Sequence, residues 1–358
     1  MKRFWEAVFL LAGTTIGAGI FGIPYATAKV GYPIGLAWLI VLTIVVCVIN
    51  VLYALSILNS RYKKPRQFVG YAQEYLGNTG RYVALFVILF GQWGALLAYI
   101  IGSGVFLSII FTELGYAPLY SILFVVVGAF VTLRGLKLIA AIESWLTIGM
   151  VMIVVAIMAV GLPHLDVHNL AVAFGWGEAG LLMPYGVIFG ALSGYAVIPE
   201  LTQFAKGNGF TKKHLLAACI VGALIPAVIY GIFQMTVVGV SGALTSEDAI
   251  TGLLRFLDPG IITVGAILGT LAMFSSFITL TRVIKDTFEY DFKMPALRAW
   301  YLAIVPPVLI FVAGVTSFIR VLEFMGVWLG TSSGLLIVVM YIKSRKKPKR
   351  RRSRKSKQ

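Results

Sequence analysis

The sequence predicts an all-α membrane protein with ten transmembrane helices, in two halves of five that enter the bilayer from opposite sides. Three observations carry this expectation: long apolar runs, a strict alternation of Lys and Arg between connections, and a weak internal repeat at a shift of 175 residues.

The apolar runs set the class. Of 358 residues, 59% are hydrophobic and 12% charged, against roughly 45–50% apolar and ~25% charged in soluble domains. Residues 34–58 and 146–162 are near-continuous apolar stretches, close to the ~20 residues that a membrane-spanning helix needs. They do not alternate with a period of two, which excludes a closed barrel. Spans are expected at 5–28, 33–58, 81–111, 117–134, 136–161, 179–206, 211–240, 260–288, 296–315 and 319–343. The start superficially resembles a signal peptide, with Lys2 and Arg3 before an apolar stretch. Glu6 interrupts that stretch and no small-residue cleavage site follows, so it reads as a retained first helix. Cys47 and Cys219 lie in apolar runs and read as small hydrophobes, with neither disulfide nor metal spacing.

Charge gives direction. With ten spans, 27 Lys and Arg fall on one side and only Lys29, Arg255 and Arg320 on the other. Without the basic tail the split is still 16 to 3. Cytoplasmic connections carry the excess of Lys and Arg, so both termini are expected in the cytoplasm and the chain in the cell membrane. The net charge is +16, with eleven Lys and Arg in residues 343–358. Such a tail suits nucleic acid or anionic lipid. Behind a membrane domain, lipid headgroups are the expected partner and nucleic acid is not. The chain reads as one domain over 1–343 with a tail over 344–358. Residues 61–80 suggest a short interfacial helix, and 245–260 a surface or re-entrant helix.

The repeat superposes span one on span six. Residues 17–25 lie over 192–200, pairing Gly19 with Gly194, Ile23 with Ile198 and Pro24 with Pro199. The halves would run over 5–161 and 179–343, and an odd number of spans per half inverts the second, as in many carriers. Both paired segments are rich in Gly and Pro, which break helices. Backbone groups freed in hydrocarbon need partners. In span one, N–H groups near Ala18, Gly19 and Ile20 would suit a carboxylate. Carbonyls near 13–16 would suit a cation, and span six would repeat the arrangement around 192–195. The competing reading is that the glycines only let helices pack closely.

At these residues the chain resembles a known family. "GTTIGAGIFGIPYATAKVG" at 13–31 is similar to the first span of bacterial aromatic and hydroxy amino-acid permeases, of the amino acid/polyamine/organocation superfamily with its LeuT-like fold. "LSGYAVIPEL" at 192–201, "GALIPAVIYGIFQMTVVGVSG" at 222–242 and "LAMFSSFITLTRVIKDTF" at 271–288 resemble the sixth, seventh and eighth spans. The resemblance covers most of the chain and loosens after Lys293. It implies a 5+5 inverted repeat with unwound first and sixth helices around one amino acid. The N–H groups of Ala18 and Gly19 would hold its carboxylate, and carbonyls of Thr14, Phe189 and Leu192 its ammonium. Tyr99, Phe189 and Tyr195 would wall the side-chain pocket, with Gly190 and Gly194 leaving room for a large neutral side chain. In sodium-coupled members a cation lies between spans one and eight. The matching groups are carbonyls of Gly13, Ile16 and Ala272 with hydroxyls of Ser275 and Ser276, five oxygens that suit a hard cation.

One departure is that proton-coupled aromatic permeases tend to carry a His in span six, where this chain has Tyr195. His164, His168 and His214 are in connections, and the triplet His164, Asp166 and His168 reads as a solvated loop. If protons are coupled, Glu143 and Glu200, the acids within spans, are the candidates to carry them. No cofactor is expected, only Na+ or H+ as coupling ion. The leading function is an ion-coupled symporter for neutral or aromatic amino acids, working by alternating access. The alternative is a transporter-like receptor that binds without net transport. Within the spans there are no paired acids, no Cys–His pair and no metal-ligand spacing for an enzyme, and no repeated polar face for a channel. Nothing in the pattern selects monomer over dimer.

Overall fold

Glycine and proline punctuate this chain more than polar caps do. The computed structural model describes residues 2–62, 66–112, 114–134, 139–171 and 182–346. Every regular element among them is helical. Helices α1 (Lys2–Thr15) and α2 (Ala18–Val30) are one interrupted run, bent by 54°. α2 opens as a 3-10 turn over Ala18–Gly22 and becomes α-helical at Ile23, with Pro24 in its first turn, where a missing N–H breaks no bond. Gly31, at φ 91°, lets the chain reverse into α3 (Tyr32–Leu58).

α4 (Phe68–Ile110) contains one non-helical residue, Gly77, at φ 72° and ψ −158°, a conformation essentially reserved for glycine. Within 61–80, where a short helix is expected, residues 68–76 are helical and join the rest of α4 through Gly77. Next come α5 (Ala117–Arg134), α6 (Ile139–Gly161) and α7 (Val167–Ala171). α8 (Leu182–Leu192) and α9 (Ile198–Gly207) flank the second interruption. α10 (Lys212–Ser241) carries Pro226 within it. α11 (Pro259–Asp291) and α12 (Ala296–Val312) follow. α13 (Phe318–Phe324) winds through a π-helical turn, Met325–Gly330, into α14 (Thr331–Lys346).

Among the described residues, six helical stretches are long and apolar enough to span a bilayer, and a seventh if α1 and α2 count as one. Three shorter apolar helices, Ala117–Leu133, Val151–His164 and Ala296–Val312, lie at the positions expected for spans four, five and nine. Ile40, Ile44 and Val48 of α3 and Phe86 and Phe90 of α4 are exposed. Such apolar stripes are unstable against water and comfortable against lipid chains. Inside, Phe21 of α2 meets Phe106 of α4 at 5.2 Å and Phe233 of α10 at 6.2 Å between ring centroids.

The connection after α10 folds back onto the bundle, burying Ala249, Ile250 and Leu253. A short 3-10 turn, Thr251–Arg255, stands in place of the helix expected over 245–260. Asp248 holds that turn by accepting from the Thr251 N–H at 2.9 Å and its hydroxyl at 2.7 Å. Glu247 reaches α13, accepting from the Ser317 hydroxyl at 3.0 Å and the Ile319 N–H at 3.3 Å.

Candidate functional site

Two backbone interruptions meet in the centre of the bundle. In the first, α1 ends at Thr15 and Gly17 is extended, at φ −142° and ψ −168°. In the second, α8 ends at Leu192, and Ser193 and Gly194 are unwound before a 3-10 turn at Tyr195–Val197. Tyr230 of α10, fully buried, joins the two. Its hydroxyl donates toward the Thr15 carbonyl at 2.9 Å and the Ala191 carbonyl at 3.3 Å. These carbonyls close the two half-helices and have lost their intrahelical donors.

The groups expected to hold a carboxylate are unequal. The Ile20 N–H is already donated to the Gly17 carbonyl at 3.2 Å. Ala18 and Gly19 are the first residues of the 3-10 turn, so their N–H groups have no partner within it. Gly19 lies against α8, where an added Cβ would stand 3.0 Å from both Cα and Cβ of Ala191. Gly17 has nothing within 4 Å of such a position, so the open side of the first interruption is at Gly17.

Of the carbonyls expected to hold an ammonium, that of Phe189 accepts the Ser193 hydroxyl at 2.6 Å. That of Leu192 accepts the Gly194 N–H at 2.9 Å. Each keeps a second lone pair. Thr14 ends α1, with its exposed hydroxyl turned back onto the Leu10 carbonyl at 2.8 Å. The room expected beside Gly194 is taken: a side chain there would land on the Thr15 hydroxyl. Gly190 faces the backbone of Leu322 and Gly326. Gly194 therefore provides close packing, whereas the neighbours of Gly190 stand at ordinary contact distance, 3.5–3.6 Å.

Of the three aromatic residues expected to wall one pocket, Phe189 and Tyr195 line one small cavity, and each has its own packing partners. Phe189 stacks on Tyr185 at 5.6 Å and lies over Gly330 of the π-helical turn. Tyr195 packs on Phe68 at 5.6 Å and hydrogen-bonds Ser333 at 2.6 Å. Tyr99 is half-buried in α4, beside Ala98 and Ile100 of the core.

The five cation oxygens sit on two elements. Gly13 lies in the last turn of α1 and Ile16 just past its end; α1 packs on α9 and α10. Ala272, Ser275 and Ser276 belong to α11, which packs on α4, α5, α6 and α12. The buried Ser275 hydroxyl donates to the Ala272 carbonyl at 3.0 Å, so two of the five currently serve each other. Among the described residues no three His, Cys, Asp or Glu side chains gather as a metal site. Asp166 accepts from the His168 N–H at 2.8 Å, and the His164 ring bonds the Val160 carbonyl at 3.0 Å.

Glu200 lies in the first turn of α9. Its Oε1 accepts from Gln67 Nε2 at 2.6 Å, and its Oε2 is buried without a hydrogen-bond partner. Arg282–Asp286 and Lys285–Glu289 are ion pairs within α11. The side chain of Glu143 lies outside the described residues.

Sequence reasoning missed Tyr230 and Asn50. Both are polar side chains inside long apolar helices, which in a membrane is itself a signal.

Comparison with known proteins agrees with this architecture. The tryptophan/tyrosine permease family profile matches residues 1–355. The chain is 26% identical over 367 residues to the tyrosine-specific transport system 1 of Haemophilus influenzae, covering 97% of this chain and 89% of that protein. It is 23% identical over 358 residues to glutamine transporter 2 of Aliivibrio fischeri, covering 96% and 90%. Among solved structures, the inward-facing conformation of Mhp1 superposes with a TM-score of 0.67 at 12% identity, covering 95% of this chain and 75% of that one. MhsT in complex with L-phenylalanine superposes with a TM-score of 0.56 at 14% identity, covering 92% and 87%. The fold is LeuT-like.

Proposed function

The chain belongs to the tryptophan/tyrosine permease family, and from that premise we propose that it is a secondary active carrier of aromatic amino acids, working by alternating access with a coupled cation. It is a permease and not an enzyme. The observation that carries the reading is the pair of interruptions at Gly17 and Gly194, held together by the one Tyr230 hydroxyl. Backbone broken inside a membrane bundle exposes N–H and C=O groups to whatever lies between the halves. A zwitterionic amino acid carries the complementary charges. The relatives' printed substrates, tyrosine and glutamine, are both neutral amino acids.

In this reading, the N–H groups of Ala18 and Gly19 receive the carboxylate on the open side at Gly17. Carbonyls of Thr14, Phe189 and Leu192 receive the ammonium, and Tyr99 and Tyr195 complete the pocket. The chain forms one ten-span domain over 1–343, inverted halves over 5–161 and 179–343, and a cytoplasmic tail that meets anionic lipid. The coupling ion is cargo. Sodium would use Gly13, Ile16, Ala272, Ser275 and Ser276 once α1 closes on α11. A proton would use Glu200, whose Oε2 is buried without a hydrogen-bond partner, or Glu143.

The test is uptake of radiolabelled tyrosine into proteoliposomes. Accumulation against a gradient is expected; binding without accumulation would make the protein a receptor. Replacing sodium by choline at fixed pH abolishes uptake if the five-oxygen set carries the ion. Indifference to sodium with collapse under a protonophore assigns coupling to the carboxylates.

A further inference from the structure

Asn50 is the only carboxamide of α3. It is 1% exposed, and neither its Nδ2 nor its Oδ1 has a hydrogen-bond partner. Buried amides are almost always paired, so such a group points to a ligand or a water. It faces a cavity of about 10 Å³ shared with Phe189, Ser193, Tyr195, Gly330 and Gly334, room for about one water.

The neighbours do not satisfy the amide. Ser193 spends its proton on the Phe189 carbonyl. Ser333 spends its own on the Leu329 carbonyl at 2.8 Å, so Tyr195 is the donor in their shared bond. The rest of the surroundings is flat and apolar. The Phe189 ring lies 3.1 Å from where a Cβ on Gly330 would stand and 3.8 Å from the same point on Gly334. Two glycines without side chains thus form one wall of a slot filled by Phe189 and, at Gly334, by Ile49, whose Cδ1 lies 3.0 Å from the same point, with Asn50 on the same cavity. The slot adjoins the unwound Ser193–Gly194 segment, and Ser193 lines the same cavity.

We propose that Asn50 reads the polar tip of the transported side chain, with the substrate's ring taking the place of Phe189 between α3, α8 and α14. The ligand class is an L-amino acid whose planar ring bears a hydroxyl. A phenol donates one hydrogen bond and accepts another, and the carboxamide offers the reciprocal pair. This rests on the carrier function proposed above and adds its specificity.

Uptake kinetics in proteoliposomes test it, with L-tyrosine and L-phenylalanine as paired substrates. For Asn50→Leu, the tyrosine KM rises about tenfold or more while that for phenylalanine changes less than about threefold, because an analogue lacking the hydroxyl loses nothing. Gly334→Ala narrows the slot and weakens both substrates together. If Asn50→Leu does not purify as a folded protein, Asn50→Ala gives the same ratio. An unchanged tyrosine-to-phenylalanine ratio in the Asn50 variant means that the cavity holds only water, and overturns the proposal while leaving the carrier intact. Failure of the unmodified protein to take up any aromatic amino acid overturns the carrier reading and this specificity with it.

Discussion

The chain is interrupted at Gly17 and at Gly194, and the two interruptions differ in construction. The first bends the helix by 54°, and Gly17 borders open space. The second keeps Met183–Gly207 on one span, and Gly194 is pressed onto Thr15. Both glycines occupy backbone conformations open to other residues. The first glycine thus leaves room beside freed backbone, whereas the second lets two helices touch. One residue type performs opposite tasks at the two interruptions; the glycine paired with Gly194 by the repeat is Gly19, which is also packed against a neighbouring helix.

Identical substitutions break that symmetry. Gly194→Ala forces a methyl group onto the Thr15 hydroxyl and is expected to destabilise by ~1–3 kcal/mol, the range for overpacking. A lowered melting temperature in detergent, with lost tyrosine uptake, is the readout; an unchanged one would show that α1 yields freely there. Tyr230→Phe removes the hydroxyl shared by the two carbonyls and costs about 1 kcal/mol. Its effect is expected to fall on the two interruptions together, seen as faster proteolysis or hydrogen exchange at both 13–20 and 189–197. Protection lost at only one would separate them. Gly17→Ala changes stability in the other direction, raising it by about 0.4–1 kcal/mol, because the chain loses unfolded freedom without meeting a neighbour. Uptake is expected to fall nonetheless, since the methyl group enters the open side. A Gly17→Ala protein as unstable as Gly194→Ala would erase the distinction.

Much of the fold was legible. Apolar runs and Gly–Pro spacing placed α1 to α4 and α8 to α14 within a few residues, because a membrane leaves few alternatives to a helix. The interruptions were legible for the same reason: Gly13, Gly17, Gly19 and Pro24 stand close together, a spacing that weakens a continuous helix. The packing partners of the expected pocket aromatics were not. Which way Phe189 and Tyr195 turn depends on how α8 rotates against α14, and that rotation is fixed by Gly186, Gly190, Gly326 and Gly330. Glycines on facing helices show in a sequence only as glycines, and the π-helical turn that brings Met325–Gly330 over α8 leaves no motif of its own. Ile20 illustrates the same limit on a smaller scale. Its position at the helix start was readable, but the Gly17 carbonyl that takes its N–H was not.

Glu247 and Glu200 share one property. Each ties a connecting segment to the bundle, Glu247 to α13 and Glu200 to the start of α4 through Gln67. In both cases the carboxylate is held by neutral donors: a hydroxyl, a backbone N–H and a carboxamide. Added electrolyte weakens contacts between opposite charges, because the screening length shrinks to ~3 Å at 1 M. A carboxylate on a neutral donor offers no opposite charge to screen. The contacts that fasten these segments therefore hold alike in dilute and in saline surroundings.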